Sequence, residues 1–441
     1  MDIDELRTRL SQTPTLRPQG KVVSVTGLGI RVSIPGARIG DVVQIERRGA
    51  APVEAEIVGF DSGHAVVVPL GPVSGIGPDE TVLTTGAPLE VQAGIQLLGR
   101  IVDGLGRPLD GEPLPLGLKP VPVDRAPPPA LARTRIAAPL ATGVRAIDGL
   151  LTLGIGQRIG LFAGSGVGKS SLLGALARGA RADAVVVALV GERGREVGEF
   201  LENSLGVEGR RRSVVVVTTS DASALERLRA AQVATAIAEA IRDEGAHVLL
   251  LVDSITRFAR AQREVGLAAG EPPARRGYPP SVFAALPRLL ERTGTAAKGS
   301  ITAVYTVLVE GGDMDEPVAD EVRGILDGHI VLNRDLAAQG HYPAIDVTHS
   351  ISRVMPTLVN REHFEAAQAI RGLIALYEQK RDLIMLGGYT AGSDVRLDRA
   401  VKAKAEIDNF LQQSGLEVSR FDDTRSQLVT LNSSTLVRAL R

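Results

Sequence analysis

The run AGSGVGKS, residues 163–170, carries the densest chemistry in the chain. Gly164, Gly166 and Gly168 let backbone N–H groups close around phosphate oxygens. Lys169 adds a positive charge for the β- and γ-phosphates, and Ser170 offers a hydroxyl to Mg2+. Gly164, Ser165, Gly166, Val167, Gly168, Lys169, Ser170 and Ser171 are the expected cradle for ATP with its Mg2+. The usual pattern begins with glycine, and Ala163 stands in that place. Asp253 ends the apolar run VLLLVD, where an α/β sheet binds its ligands. It has two readings: a carboxylate that holds Mg2+ through water, or a cap for the helix that Ser254 and Thr256 open. Glu192 ends another apolar run and begins the turn GERGRE. Either it orients water toward a γ-phosphate with Arg193 facing the phosphate charge, or the turn is a solvated charged one.

These residues need strands to hold them. Residues 158–162, 184–190, 213–218, 247–252, 301–309 and 329–332 are apolar without alternation, as in a parallel sheet covered on both faces. Residues 223–244 form a strong helix, with Leu225, Leu228, Val233, Ile237 and Ile241 as its apolar stripe and Gly245 as its stop. A second helix follows the cradle over residues 170–180. Upstream, residues 21–25, 29–34, 41–46, 53–60 and 64–70 are short β-rich runs punctuated by Gly, Pro and Asp, which points to a small barrel. Eight of the 25 prolines fall between positions 108 and 129, an ordered, extended crossover. Beyond residue 356 the pattern is helical, over 361–386, 397–413 and 422–440.

The length of 441 residues allows two to three domains, and 44% apolar with 23% charged residues is ordinary for a globular chain. A net charge of −1, no Trp and 3% aromatic residues argue against a nucleic-acid binder. The absence of cysteine removes disulfides and thiolate chemistry and suits the cytosol. No apolar run approaches the ~18 residues of a membrane span, and the acidic start MDIDELRTRL is not a signal peptide.

GLFAGSGVGKS, GERGREVGEF, DSITRFARAQRE, GEPPARRGYPPSVFAALPRLLERTG and LDGHIVLNRDLAAQGHYPAID together resemble the ATPases of type III protein export, flagellar and injectisome, which are related to the catalytic β subunit of rotary ATP synthases. PAID followed by SIS matches the signature of that wider superfamily. The resemblance implies an α/β fold: a central RecA-like P-loop NTPase domain over residues 96–355, a small N-terminal β-barrel over 18–95 and a helical C-terminal domain over 356–441. Residues 1–17 would be a partner or oligomerisation segment. Lys169, Ser170, Glu192, Arg193 and Asp253 take the roles given above. By the same resemblance Tyr342 packs on adenine and Arg353 is an arginine finger for a neighbouring subunit's nucleotide. The Ala163 departure is one the export ATPases share.

The family further implies a cytoplasmic homohexamer at the inner-membrane face of an export apparatus, with a stator-like regulatory subunit, a central-stalk subunit, export-gate proteins and chaperone–cargo complexes as partners, and no nucleic acid. Its work would be to release chaperones from cargo and promote unfolding and export. Peripheral membrane contact stays open. VEGGDMDEPVADEVRGILDGHIV and GYTAGSDVRLDRA are nearer the injectisome enzymes than the flagellar ones. The alternatives are a catalytic subunit of a rotary ATP synthase or vacuolar-type ATPase, and a Rho-like nucleic-acid motor.

Overall fold

The computed structural model describes residues 18–439. The partner segment expected over residues 1–17 lies outside them.

Six antiparallel strands close the N-terminal barrel: β1 (Gln19–Thr26), β2 (Gly29–Ser33), β3 (Asp41–Arg47), β4 (Ala50–Asp61), β5 (His64–Pro69) and β6 (Thr81–Pro88), in the order β1-β2-β5-β4-β3-β6. Alternate side chains fill it, among them Val22, Ile30, Val43, Ile45, Ile57 and Val67. The sixth strand is an addition to the five read from sequence. Closure removes the two edges that an open five-stranded sheet would leave.

The central sheet holds β7 (Ile101–Asp103), β8 (Arg158–Ala163), β9 (Ala184–Glu192), β10 (Ser213–Thr219), β11 (His247–Asp253), β12 (Ser300–Leu308), β13 (Gly328–Leu332) and β14 (Ile345–Ser352). Their order is β14-β13-β8-β12-β11-β9-β10-β7. All the pairings along it are parallel except that of β14 with β13, which is antiparallel. β9 shows why these runs lack alternation. Ala184, Val186, Ala188 and Val190 enter one core, Val185, Val187 and Leu189 the other, and every residue of the strand is buried. Burial on both faces makes inside and inside alternate.

Helices α1 (Arg145–Leu150) and α2 (Lys169–Gly179) lie on one side of the sheet, and α3 (Ala224–Asp243), α4 (Ile255–Ala268) and α5 (Pro280–Leu290) on the other. The proline-rich crossover is pinned by Arg292, which is fully buried. Its guanidinium donates to both carboxylate oxygens of Glu239, at 3.1 and 2.7 Å, and to the Val123 carbonyl at 2.8 Å. Glu56 of the barrel pairs with Arg229 of α3, which ties the barrel to the sheet domain. The C-terminal helices are α6 (Arg361–Met385), α7 (Val395–Leu411) and α8 (Phe421–Ala439). They dock on α1 through Ile370, Ala403, Ile407 and Phe410, and His363 shares a 2.8 Å hydrogen bond with the Gly149 carbonyl.

Candidate active site

β8 delivers the cradle at its carboxyl end, and α2 begins at Lys169. Gly166 and Gly168 have φ of 75° and 91°, a region that side chains with a Cβ rarely adopt. No side chain caps α2. Its first-turn N–H groups are therefore left for an anion, assisted by the helix dipole. Ser170 and Ser171 are exposed on that turn.

Three of the sequence-predicted charges meet at the strand ends. The Lys169 ammonium pairs with Asp253 Oδ1 and lies 3.7 Å from Glu192 Oε1. Asp253 also accepts from the Thr306 hydroxyl at 2.7 Å. Ser254, not Asp253, caps α4, accepting from Arg257 N, so the carboxylate faces the cradle. Asp253 is therefore not the cap of that helix.

Glu192 is buried, and a register shift between β9 and β10 directly before it aims its side chain. Arg257 donates to Glu192 Oε2 at 3.1 Å and to the Gly191 carbonyl. Glu192 Oε1 is buried without a hydrogen-bond partner. Burial first, and then the neighbouring Asp253 charge, push the Glu192 carboxyl up to about 7, against the pull of Lys169 and Arg257.

Arg193 does not join this cluster. It is 77% exposed and pairs with Glu196 at 3.1 Å, one turn into the helix that follows. The cation that faces Glu192 is Arg257, which the sequence reading missed. Its signal was its place in the first turn of the helix opened after Asp253. Thr306 was missed as well.

Tyr342 stands at the other mouth of the cradle. Its ring lies against Gly168, where an added Cβ would come within 3.3 Å of it. It lines a cavity of about 370 Å³ with Ser171, Leu172, Ala175 and Gly415, and the phenol side chain is 45% exposed. Arg353 is far from all of this. Its N–H donates to the Asp327 carbonyl, whose own N–H donates to Arg158 at the start of β8. β8 advances about 16 Å from there to the cradle.

Among the described residues no group of His, Asp and Glu forms a ready-made metal centre. The donors that are present suit Mg2+: hard oxygens of Ser170, Asp253 and Glu192, with Lys169 bridging the two carboxylates as their counter-charge. No helix of the described residues is long and apolar enough to cross a membrane.

Residues 143–352 match the ATP synthase alpha/beta family, nucleotide-binding domain, and residues 359–430 match the T3SS EscN ATPase C-terminal domain. The chain is 49% identical to a type 3 secretion system ATPase of Xanthomonas euvesicatoria over 97% of both chains. It is also 49% identical to a flagellum-specific ATP synthase of Bacillus subtilis, over 96% of this chain and 98% of that one. The assembled ATPase EscN of the enteropathogenic E. coli type III secretion system superposes with a TM-score of 0.88 at 48% identity, covering 94% of this chain and all of the other. With cradle, acids and three-part architecture in place, the chain belongs to the ATPases of type III secretion and flagellar protein export, within the ATP synthase alpha/beta family.

Proposed function

We propose that this chain is the ATP-hydrolysing motor of a type III export apparatus of the injectisome kind, acting as a homohexamer. The observation that carries the chemistry is Glu192, a buried carboxylate with one unpartnered oxygen 3.7 Å from the cradle lysine. Phosphates entering the cradle draw Lys169 from Asp253 onto the γ-phosphate oxygens. Ser170 and Asp253 would hold Mg2+, which would supply neutralisation of phosphate charge. The free oxygen of Glu192 accepts a hydrogen bond from water, aligns it with the γ-phosphorus and takes its proton. The new P–O bond forms as the bridging bond to ADP breaks. Arg257 holds the other Glu192 oxygen and keeps the carboxylate aimed. Tyr342 packs on adenine. Arg193 is turned outward here and takes a phosphate-facing role only by swinging away from Glu196.

Arg353 serves the neighbouring subunit's nucleotide, a reading supported by its place at the opposite end of the sheet from its own cradle. A chain that carries both the acid and the finger needs no paralogous partner, which favours a homohexamer over the alternating ring of a rotary synthase. EscN has been described in complex with its central stalk EscO. By analogy we assign this chain a central-stalk partner, with a stator-like subunit on residues 1–17. It would work at the cytoplasmic face of the inner membrane, beside the export gate, where it releases chaperones from cargo. The injectisome assignment rests on GYTAGSDVRLDRA and VEGGDMDEPVADEVRGILDGHIV.

Glu192→Gln tests the reading. It keeps size and hydrogen bonding but cannot take the proton. Turnover should fall on the order of 10²–10⁴-fold with ATP affinity little changed. In the source organism the variant should block effector secretion and leave motility intact. Lost binding with an unchanged rate per bound ATP would make Glu192 structural, and lost motility with intact effector secretion would make the apparatus flagellar.

A further inference from the structure

The loop between α7 and α8 forms one wall of the cavity beside Tyr342, through Gln413, Ser414, Gly415 and Glu417. Within it Gln413 is 8% exposed and bonded in four directions. Its backbone N–H donates to the Tyr342 carbonyl at 2.8 Å. Its side-chain oxygen accepts from Arg145 N at 2.8 Å. Its Nε2 donates to the carbonyls of Gly143, at 2.7 Å, and Glu417, at 2.9 Å. Both amide protons are thereby used, and the partners fix which way the amide points, since a flipped one would set its oxygen against two carbonyls. One residue thus joins the Tyr342 turn, the approach to α1 and the loop itself. Arg145 holds the end of α7 with a 2.8 Å bond to the Phe410 carbonyl and also donates to the Gln412 carbonyl at the start of the loop.

We propose that Gln413 is a positioning residue for nucleobase recognition: it sets the backbone of Tyr342 so that the ring stands over the base cavity, and it does not act on the phosphates. The proposal rests on the reading of Tyr342 as the adenine-facing residue. The physical case is separation of parts. The cradle is held by β8 and α2, whereas the Tyr342 ring is half-exposed and its main chain is tied to Gln413. Loosening Gln413 lets the ring wander and leaves the cradle unmoved. A stacking ring that is no longer held loses affinity for the base and gives none back through phosphate contacts.

The experiment compares two ligands by calorimetry on the full chain: ADP, which has a base, and pyrophosphate, which has none. The variants are Gln413→Leu, Gln413→Glu and Tyr342→Ala. Gln413→Leu leaves two buried carbonyls without their donor and Gln413→Glu sets a carboxylate oxygen against them, so both loosen the loop by different means, and pyrophosphate affinity, which reports the intact cradle, guards against a folding failure. The expected result is about 5- to 30-fold weaker ADP binding in all three variants. Pyrophosphate binding should stay within about threefold, and in turnover the loss should fall on KM for ATP more than on kcat. Equal weakening of both ligands in the Gln413 variants would overturn the proposal by making Gln413 a support of the whole domain. Unchanged ADP affinity in them, with Tyr342→Ala still weakened, would overturn it and spare the stacking role. Unchanged ADP affinity in Tyr342→Ala would remove the stacking role and the proposal together.

Discussion

Replacing Lys169 by alanine tests the electrostatic reading of the site in the protein without nucleotide. The Lys169 side chain is 14% exposed and its partner Asp253 4%, so solvent screens the pair little. Removing one partner of a buried pair typically costs about 3–5 kcal/mol. The orphaned Asp253 carboxylate stays buried without its counter-charge. The pH dependence comes through Glu192, and its sign follows from the proton count: a carboxyl pushed up in the fold binds a proton that the unfolded chain has released, so stability falls as pH rises. The Glu192 carboxyl already stands at about 7 against an ordinary 4.5, and Lys169 is one of the charges holding it down. Its proton is favoured in the fold between those values, and the stability it contributes is lost as pH rises through the folded one.

The assay is thermal unfolding of the nucleotide-free variant and parent at pH 5.5 and 7.5, followed in the central domain by hydrogen exchange because a three-part chain need not unfold in one step. Lys169→Ala should lower Tm more at pH 7.5, where Glu192 loses its proton, than at pH 5.5, where it keeps it with or without the lysine. Adding Asp253→Asn should return a large part of the loss at pH 7.5, since it removes the charge left behind. Hydrolysis should be abolished at both values. An equal Tm loss at the two pH values, or no recovery in the double variant, would refute the claim that Lys169 serves as counter-charge to the buried acids.

The raised Glu192 carboxyl also sets the acid limb of catalysis. kcat/KM, which reports the free enzyme, should climb roughly tenfold per pH unit below about 7 and level off above it, and a flat profile from pH 5.5 to 8.5 would exclude Glu192 as the base. Arg353→Ala and Lys169→Ala proteins, each inactive alone, should regain hydrolysis when mixed, because some interfaces then join an intact cradle to an intact finger. The finger's loss is expected to cost on the order of 10³–10⁵-fold. Shown mixed rings without rescue would assign Arg353 to its own subunit or to no site.

Six strands of the sheet were legible because burial on both faces writes itself into sequence as unbroken apolar runs, whereas β14, whose burial alternates, left no such run. Lys169 was legible from the glycine-rich run it closes, and Glu192 and Asp253 because each stands where an apolar run ends. The sixth barrel strand was not: of its eight residues only Val82 and Thr84 are buried, too few to print an alternation. Arg193 stands apart from Glu192 despite their adjacency. Consecutive residues at a strand end aim in different directions, and the turn after Glu192 carries Arg193 outward to Glu196. Arg257, Thr306 and Gln413 left little trace because their partners are distant in sequence. Arg257 meets Glu192 across 65 positions and Thr306 meets Asp253 across 53, contacts made by strand order and by no local pattern.

Strand order also explains why Arg353 lies far from the cradle of its own chain. β14 returns antiparallel along the sheet edge, so its last residue, Ser352, pairs with Gly328, at the end of β13 away from the cradle. The residue after it, Arg353, is therefore delivered to the amino edge of a parallel sheet whose ligand end is the carboxyl edge. Had β14 run parallel, its final residue would have come out beside the cradle and a finger there could have served its own nucleotide. The reversal places about 16 Å of strand between Arg353 and Ala163, more than an extended arginine side chain spans. A guanidinium so placed, exposed and held by a 3.4 Å bond to the Arg323 carbonyl, is positioned to reach outward. If Arg353 is the finger proposed above, the direction of a single edge strand leaves the site incomplete within one chain, and assembly would be a condition of catalysis.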